Sequence, residues 1–243
     1  MAAPSPRSGP WVLRMNWLDL AFLNWRVPAD LLAATLPPGA ELDLYGGEAW
    51  VSIVPFRMTG IAPRFVPDVP GISAFAELNI RTYVRVNGVP GIWFYSLDTS
   101  SPLATELARL GFHLPYFRAR MEVHQQGDVV RYASIRTDAR SQPGSFGAAY
   151  RAVGEAYHAP KGSLDEWLTD RLALYSADAQ GRLYRGWIKH EPWTLRAAQV
   201  VIGRNDLALG LGLEAVRPHL TGEPYALCGG PLNVHAWLLE RAL

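Results

Sequence analysis

The sequence predicts a mostly β domain, its strands closed into a barrel or a folded-over sheet, with three short helices. Many apolar runs of strand length are separated by Gly, Pro or Asn-Gly turn signals. The stretch from Phe75 to Asp98 alternates with a period of two and turns at Asn87-Gly88. Helix-start signals are few, and each opens only a short segment.

Taken along the chain, residues 1–10 (MAAPSPRSGP) have no hydrophobic signal region and read as a disordered lead-in; 11–243 form one domain, undivided by any linker or repeat. Trp11 to Val27 is apolar and aromatic and reads as one strand or two short ones. Pro28 to Leu36 starts with Pro, is rich in helix formers and stops at Pro37-Pro38-Gly39, which makes a short helix. Leu42 to Tyr45 and Glu48 to Met58 flank Gly46-Gly47 as a hairpin, and the proline-rich 60–71 is a loop.

In the 75–98 hairpin, a two-residue loop at Asn87-Gly88 would set Val86 opposite Val89, Arg81 opposite Phe94, Asn79 opposite Ser96 and Glu77 opposite Asp98. Glu77, Asn79, Arg81, Ser96 and Asp98 then share one polar face. That face either meets water or holds a polar ligand, and a bulge at Pro90-Gly91 would shift the register.

Pro102 opens a second helix to Leu110, with Leu103, Leu107 and Leu110 on one apolar face. Tyr116 to Val123, Val129 to Thr137 and Ser145 to Val153 read as strands. Ser163-Leu-Asp-Glu166 has capping-box spacing and starts a helix running to Tyr175, with Leu164, Trp167, Leu168 and Leu172 inward. Gly181 to His190 is a strand, Pro192 to Val201 is strand or helix, and Gly229 to Trp237 is the last strand.

Composition narrows the function classes. Hydrophobic residues make up 49% and charged residues 19% of the 243, enough for a substantial core. A net charge of +1 argues against nucleic acid or a polybasic membrane role, and no apolar run is long enough to span a membrane. A soluble cytoplasmic protein fits. Cys228 is the only cysteine, and the six His show neither HExxH nor HxxxH spacing, so no disulfide or metal site is expected. Phosphate loops and a GxSxG elbow are missing, so no cofactor is called for. The chain has 21 Arg but only Lys161 and Lys189 for amine chemistry.

Five strings in order resemble the YqjF-like, or DUF2071, family of uncharacterised proteins: Phe75 to Val84, Gly91 to Asp98, Leu114 to Tyr116, Asp170 to Tyr175 and His190 to Trp193. That family resembles the acetoacetate decarboxylase-like superfamily. The resemblance implies an α+β, mostly β fold: an antiparallel, closed, cone-like barrel around a central cavity with a few short outer helices. In the decarboxylases, a string of the form Arg-Glu-x-Phe-Gly-x-Pro-Lys-Lys carries the imine-forming lysine. The matching string here runs from Arg109 to Phe117. It keeps Arg109, Phe112 and Pro115 but has Leu110 for the Glu and Tyr116-Phe117 for the two lysines. Neither Tyr nor Phe can form an imine. Glu77 falls where the decarboxylases keep an acidic residue, which favours an inward polar face.

The candidate catalytic residues are therefore Glu77, Asp98 and Tyr116, and the candidate ligand-binding residues are Asn79, Arg81, Ser96, Arg109 and His190. Each also has a structural reading: Tyr116 as a core phenol, Arg81 as a strut for Glu77 or Asp98, His190 as a packed imidazole. Three functions follow. One is a cofactor-independent acid/base enzyme, lyase or hydrolase in type, acting on a small anionic carbonyl or carboxylate compound. The others are a non-catalytic binding or sensor protein and a structural module with a filled cavity. The partner in the first two is a small molecule, with no nucleic acid or membrane; a homo-oligomer is left open.

Overall fold

A strand buried on both faces must lie between two layers, and Phe75–Val86 is such a strand: only Arg85 is exposed within it. The computed structural model describes residues 9–69 and 73–243 and explains this burial through its strand connections. Residues 1–8 of the expected lead-in, and 70 and 71 of the expected 60–71 loop, lie outside the described residues.

The expected Trp11–Val27 segment is two strands, β1 (Leu13–Leu18) and β2 (Leu20–Val27). Asp19 divides them in a left-handed conformation, φ 53°. Helix α1 (Ala29–Ala33) follows with Pro28 at its N-cap. The Gly46-Gly47 turn is present, with both glycines at positive φ and Tyr45 bridged to Glu48. The strand before it, β3 (Glu41–Leu42), pairs with Phe75–Val86 instead of folding back on β4 (Ala49–Pro63). β4 also continues through 60–63, expected as loop, because its second half pairs with β1.

β5 (Phe75–Val86) and β6 (Val89–Thr99) form the expected hairpin. Asn87 and Gly88 both have positive φ, as the two-residue turn requires. Val86 opposes Val89 and Arg81 opposes Phe94. The register then shifts between Ile80 and Arg81, and Tyr95 is the unpaired extra residue. Asn79 therefore opposes Leu97, Glu77 opposes Thr99, and Asp98 opposes Leu78. The expected pairing of Glu77 with Asp98 and of Asn79 with Ser96 is incorrect, and the bulge is at Tyr95, not at Pro90-Gly91. Tyr95 is held there by a 2.6 Å hydrogen bond between its hydroxyl and that of Thr35.

Helix α2 (Pro102–Phe112) is capped by the Ser101 hydroxyl. Its expected apolar face is not packed into the core: Leu107 is 60% and Leu110 79% exposed. Strands β7 (Tyr116–Gln126), β8 (Val129–Arg136) and β9 (Ser145–Tyr157) follow as an antiparallel meander. Helix α3 (Leu164–Thr169) starts at its Ser163 cap but ends six residues sooner than expected. Ala173–Ala177 is instead strand β10, drawn into pairing with β6 and with β11 (Leu183–Lys189). β12 (Leu195–Asn205) is a strand throughout. The strand expected over Gly229 to Trp237 is β14 (Leu232–Ala236); β13 (Tyr225–Gly229), which was not expected, precedes it, and the short β15 (Glu240–Arg241) follows.

The fifteen strands of the described residues form one sheet that closes on itself along two rings of hydrogen-bonded neighbours. One ring runs β1-β14-β11-β10-β6-β5-β4 and back to β1; the other runs β6-β7-β8-β9-β12-β13-β2-β4-β5 and back to β6. The pairs β6–β10 and β6–β7 are parallel, so the expected all-antiparallel arrangement fails at β6. β4, β5 and β6 belong to both rings. The second ring is packed solid with Leu23, Ile53, Leu78, Ile80, Tyr132 and Phe146 among others. The first holds a cavity.

Candidate functional site

Alternation along β5 sends Leu78 and Ile80 into the packed ring and Glu77, Asn79 and Arg81 into the other. The cavity there has a volume of about 400 Å³, within the ~300–1,000 Å³ usual for small-molecule pockets. Most of its wall is apolar, with Met15, Trp17, Phe22, Val54, Phe56 and Phe94 contributing. Glu77, Asn79 and Arg81 form a polar stripe on that wall, joined by Tyr116 from the first residue of β7.

Glu77 is buried, and its backbone carbonyl accepts a 2.7 Å hydrogen bond from the Tyr132 hydroxyl, which pins β5 at this point. The Tyr116 hydroxyl donates to Glu77 Oε2 at 2.8 Å. Desolvation raises the Glu77 carboxyl to about 8, against hydrogen bonds from Tyr116 and Asn79 that lower it. Glu77 is thus mostly a neutral acid at pH 7. Burial also pushes the Tyr116 phenol well above its ordinary value, and the neighbouring Glu77 adds to the effect, so Tyr116 keeps its proton.

Arg81 is buried without an ion pair among the described residues. Its Nη2 donates to the Leu168 carbonyl at 3.4 Å, its Cζ lies 5.4 Å over the Phe22 ring, and its Nε has no acceptor. Desolvation lowers its pKa, but a guanidinium stays charged in a protein. Arg171, which the sequence reading overlooked, reaches the same wall. Its charge is answered by Asp43 at 2.7 Å, although its Nη2 lacks an acceptor. Among the described residues, nine buried side-chain atoms lack a hydrogen-bond partner, and four of them, on Trp17, Asn79, Arg81 and Arg171, belong to residues of the cavity wall. Such atoms normally find a partner in protein, water or ligand.

The other expected residues are placed elsewhere. Asp98 and Ser96 point to the opposite side of the hairpin, a consequence of the Tyr95 bulge, and do not line the cavity. Arg136 Nε donates to both Asp98 oxygens, at 3.0 and 3.1 Å, and its Nη2 to Ser96 Oγ at 2.9 Å. Both charged side chains are wholly inaccessible. Burial raises Asp98 to about 6, with Arg136 opposing the shift, so it is ionised at neutral pH. Arg109 also lies off the cavity; its Nη1 donates to the Tyr116 carbonyl at 2.9 Å and ties α2 to β7. Phe117 faces the packed side, 5.1 Å under Arg136. His190 does line the cavity, beside Trp17 and Trp193; burial lowers its pKa, so it is neutral at pH 7. Both lysines are exposed and neither touches the cavity. Among the described residues no His, Cys, Asp and Glu group is placed to hold a metal, and no helix is long and apolar enough to cross a membrane.

The model of the DUF2071 family, described as an uncharacterized conserved protein, matches residues 14–229. The uncharacterized protein YqjF of Bacillus subtilis (strain 168) is 42% identical over 205 residues, 84% of each chain. Among solved structures, the enduracididine biosynthesis enzyme MppR complexed with pyruvate is similar with a TM-score of 0.65 at 12% identity, over 98% of this chain and 93% of that one. An acetoacetate decarboxylase from Legionella pneumophila gives 0.61 at 15% identity, over 99% and 93%. An acetoacetate decarboxylase-like enzyme from Sphingomonas wittichii RW1 gives 0.64 at 12% identity, over 99% and 98%. These likenesses establish an acetoacetate decarboxylase-like fold.

Proposed function

This chain belongs to the DUF2071 family, and from that premise we propose that its cavity binds a small organic acid and that Glu77 transfers a proton to it. The observation that carries the reading is Arg81: a buried guanidinium with no carboxylate partner among the described residues and an unused Nε–H, on the wall of an open cavity. A buried charge is costly unless it is paired. A ligand carboxylate would supply the missing partner through the planar fork of donors.

Glu77 is then the acid. Its raised pKa keeps a proton on the carboxyl near neutral pH, the condition for general-acid work on a ligand carbonyl. Tyr116 orients it by holding Oε2. Asn79, between the two on β5, offers the unpartnered Oδ1 to a ligand hydroxyl or enol. Tyr116 and Phe117 occupy the positions that match the decarboxylase lysines, and Lys161 and Lys189 are exposed away from the cavity. The chemistry is therefore read as acid/base without an imine. That MppR has been seen with pyruvate supports the reading to the extent that this fold can hold a keto acid.

Calorimetric titration of short keto, hydroxy and aromatic acids into the protein and its Arg81→Met variant tests the anchor. Binding should be lost in the variant. Its melting temperature should hold or rise, because no carboxylate loses its partner. A variant that loses several degrees of stability yet keeps its affinity would refute the reading.

A further inference from the structure

The polar stripe is a small part of the cavity, and the remainder points to the kind of acid it takes. We propose, on the reading that Arg81 holds a carboxylate, that the ligand is an amphipathic acid whose apolar chain passes Glu77 and leaves the cavity between α2 and the 64–69 segment.

Strand β5 gives the cavity its axis. Arg81, Asn79, Glu77 and Phe75 share one side of it, and all four line the cavity. At ~3.4 Å per residue, the backbone from Arg81 to Glu77 covers roughly 14 Å, and to Phe75 roughly 20 Å. A two- or three-carbon acid held by Arg81 ends well before this distance. The wall beyond the stripe is apolar over the whole length, from Phe22 and Val54 to Met58 and Ile61. A short acid would leave that wall against water.

The apolar surface continues past the cavity. Val66, Val69, Leu103 and Leu107 line it and are also exposed large hydrophobics. Leucines three and four apart on a helix normally meet a core, but α2 is held by other means: the Ser101 cap at its start and the Arg109 bond to the Tyr116 carbonyl at its end. Leu103 and Leu107 are thereby free to contact a chain emerging from the cavity. Among the described residues, the ionisable side chains lining the cavity are Glu77, Arg81, Tyr116, Arg171 and His190, the last neutral at pH 7, so a hydrocarbon running from Glu77 toward Leu103 and Leu107 meets a mostly apolar wall.

The test is a homologous series titrated into the full chain: pyruvate, 2-oxobutanoate, 2-oxohexanoate and 2-oxooctanoate, with phenylpyruvate as the ring-bearing member. Each methylene that enters the wall should raise affinity by about fourfold, and phenylpyruvate should bind far more tightly than pyruvate. In a Leu103→Glu/Leu107→Glu variant, altered only at exposed positions, the affinity for 2-oxooctanoate should fall toward that for pyruvate. Arg81→Met should abolish binding of the whole series. A flat series with Arg81-dependent pyruvate binding would overturn the amphipathic ligand and leave the anion site standing. A slope that survives unchanged in the double variant would overturn the exit at α2. If no member binds, the anion site itself fails and this inference with it.

Discussion

Glu77 and Asp98 sit on one hairpin in adjacent rows, and both are buried, yet their surroundings differ. Asp98 faces the packed ring, where Arg136 and Ser96 satisfy it and leave no room for anything else. Glu77 faces the cavity, is answered by a phenol instead of a cation, and holds a proton near neutral pH. The arginines divide in the same way: Arg136 is saturated, while Arg81 has an unused donor and no counter-ion among the described residues. A saturated buried ion pair is a strut; a buried guanidinium with an unused donor beside open space is the one that the proposed function assigns to a ligand. Burial alone does not separate the two; the partner inventory does.

The comparison breaks first at Arg136. Arg136→Met would strand Asp98 without its cation and should cost about 3–5 kcal/mol in urea unfolding at pH 7. The loss should shrink at pH 5, where Asp98 can take a proton. A loss below about 1 kcal/mol, the size of an exposed pair, would mean that the packed side is no more structural than the cavity side.

The next test is the pH dependence of Glu77. Its folded pKa of about 8 lies above the unfolded 4.5, so the folded state binds the extra proton between them. That contribution to stability is full below about 4.5, falls as pH rises, and is gone above 8. From pH 6.5 to 8.5 unfolding should lose about 2 kcal/mol. Glu77→Gln, which mimics the neutral acid, should flatten this slope and be the more stable protein at pH 8.5. A wild-type profile without a slope in that window would show Glu77 to be ionised like Asp98.

Tyr116 sharpens the contrast at the smallest scale. Its hydrogen bond lowers the Glu77 pKa, so Tyr116→Phe should move the midpoint of the same pH profile above 8. The accompanying stability loss should be about 1 kcal/mol, as for one hydrogen bond. An unmoved midpoint would remove Tyr116 from the acid's environment.

What could be read in advance depended on how far apart the interacting residues lie. The Asn87-Gly88 turn and the alternation from Ala76 to Val86 made the near half of the hairpin legible, through Arg81 opposite Phe94. Tyr95 then shifted the far half. It fits a strand as well as any aromatic does, so nothing in the local pattern marks it as the extra residue; its hydroxyl partner is Thr35, sixty positions away. The leucines of α2 were legible as a stripe, but periodicity does not say what covers a stripe. Helix α3 was extended too far because the apolar run into Tyr175 suits a helix until β6 and β11 offer it hydrogen bonds. Arg171 lay in the Asp170 to Tyr175 string that carried the family resemblance, but nothing local marked its role, its partner Asp43 being 128 residues distant.

By itself the sequence determined the mostly β fold, the resemblance to the DUF2071 family, and the stripe of Glu77, Asn79 and Arg81 on one side of a strand. These follow from short-range rules: side-chain period, turn chemistry and residue identity. The tertiary structure decided which carboxylate meets the cavity, which arginine has no carboxylate partner among the described residues, and that a cavity remains beside so many aromatics. Those outcomes rest on a single unpaired residue in β6 and on contacts between strands far apart in the chain. A one-residue shift in a strand reverses the facing of every side chain beyond it, and here that reversal separated Asp98 from Glu77.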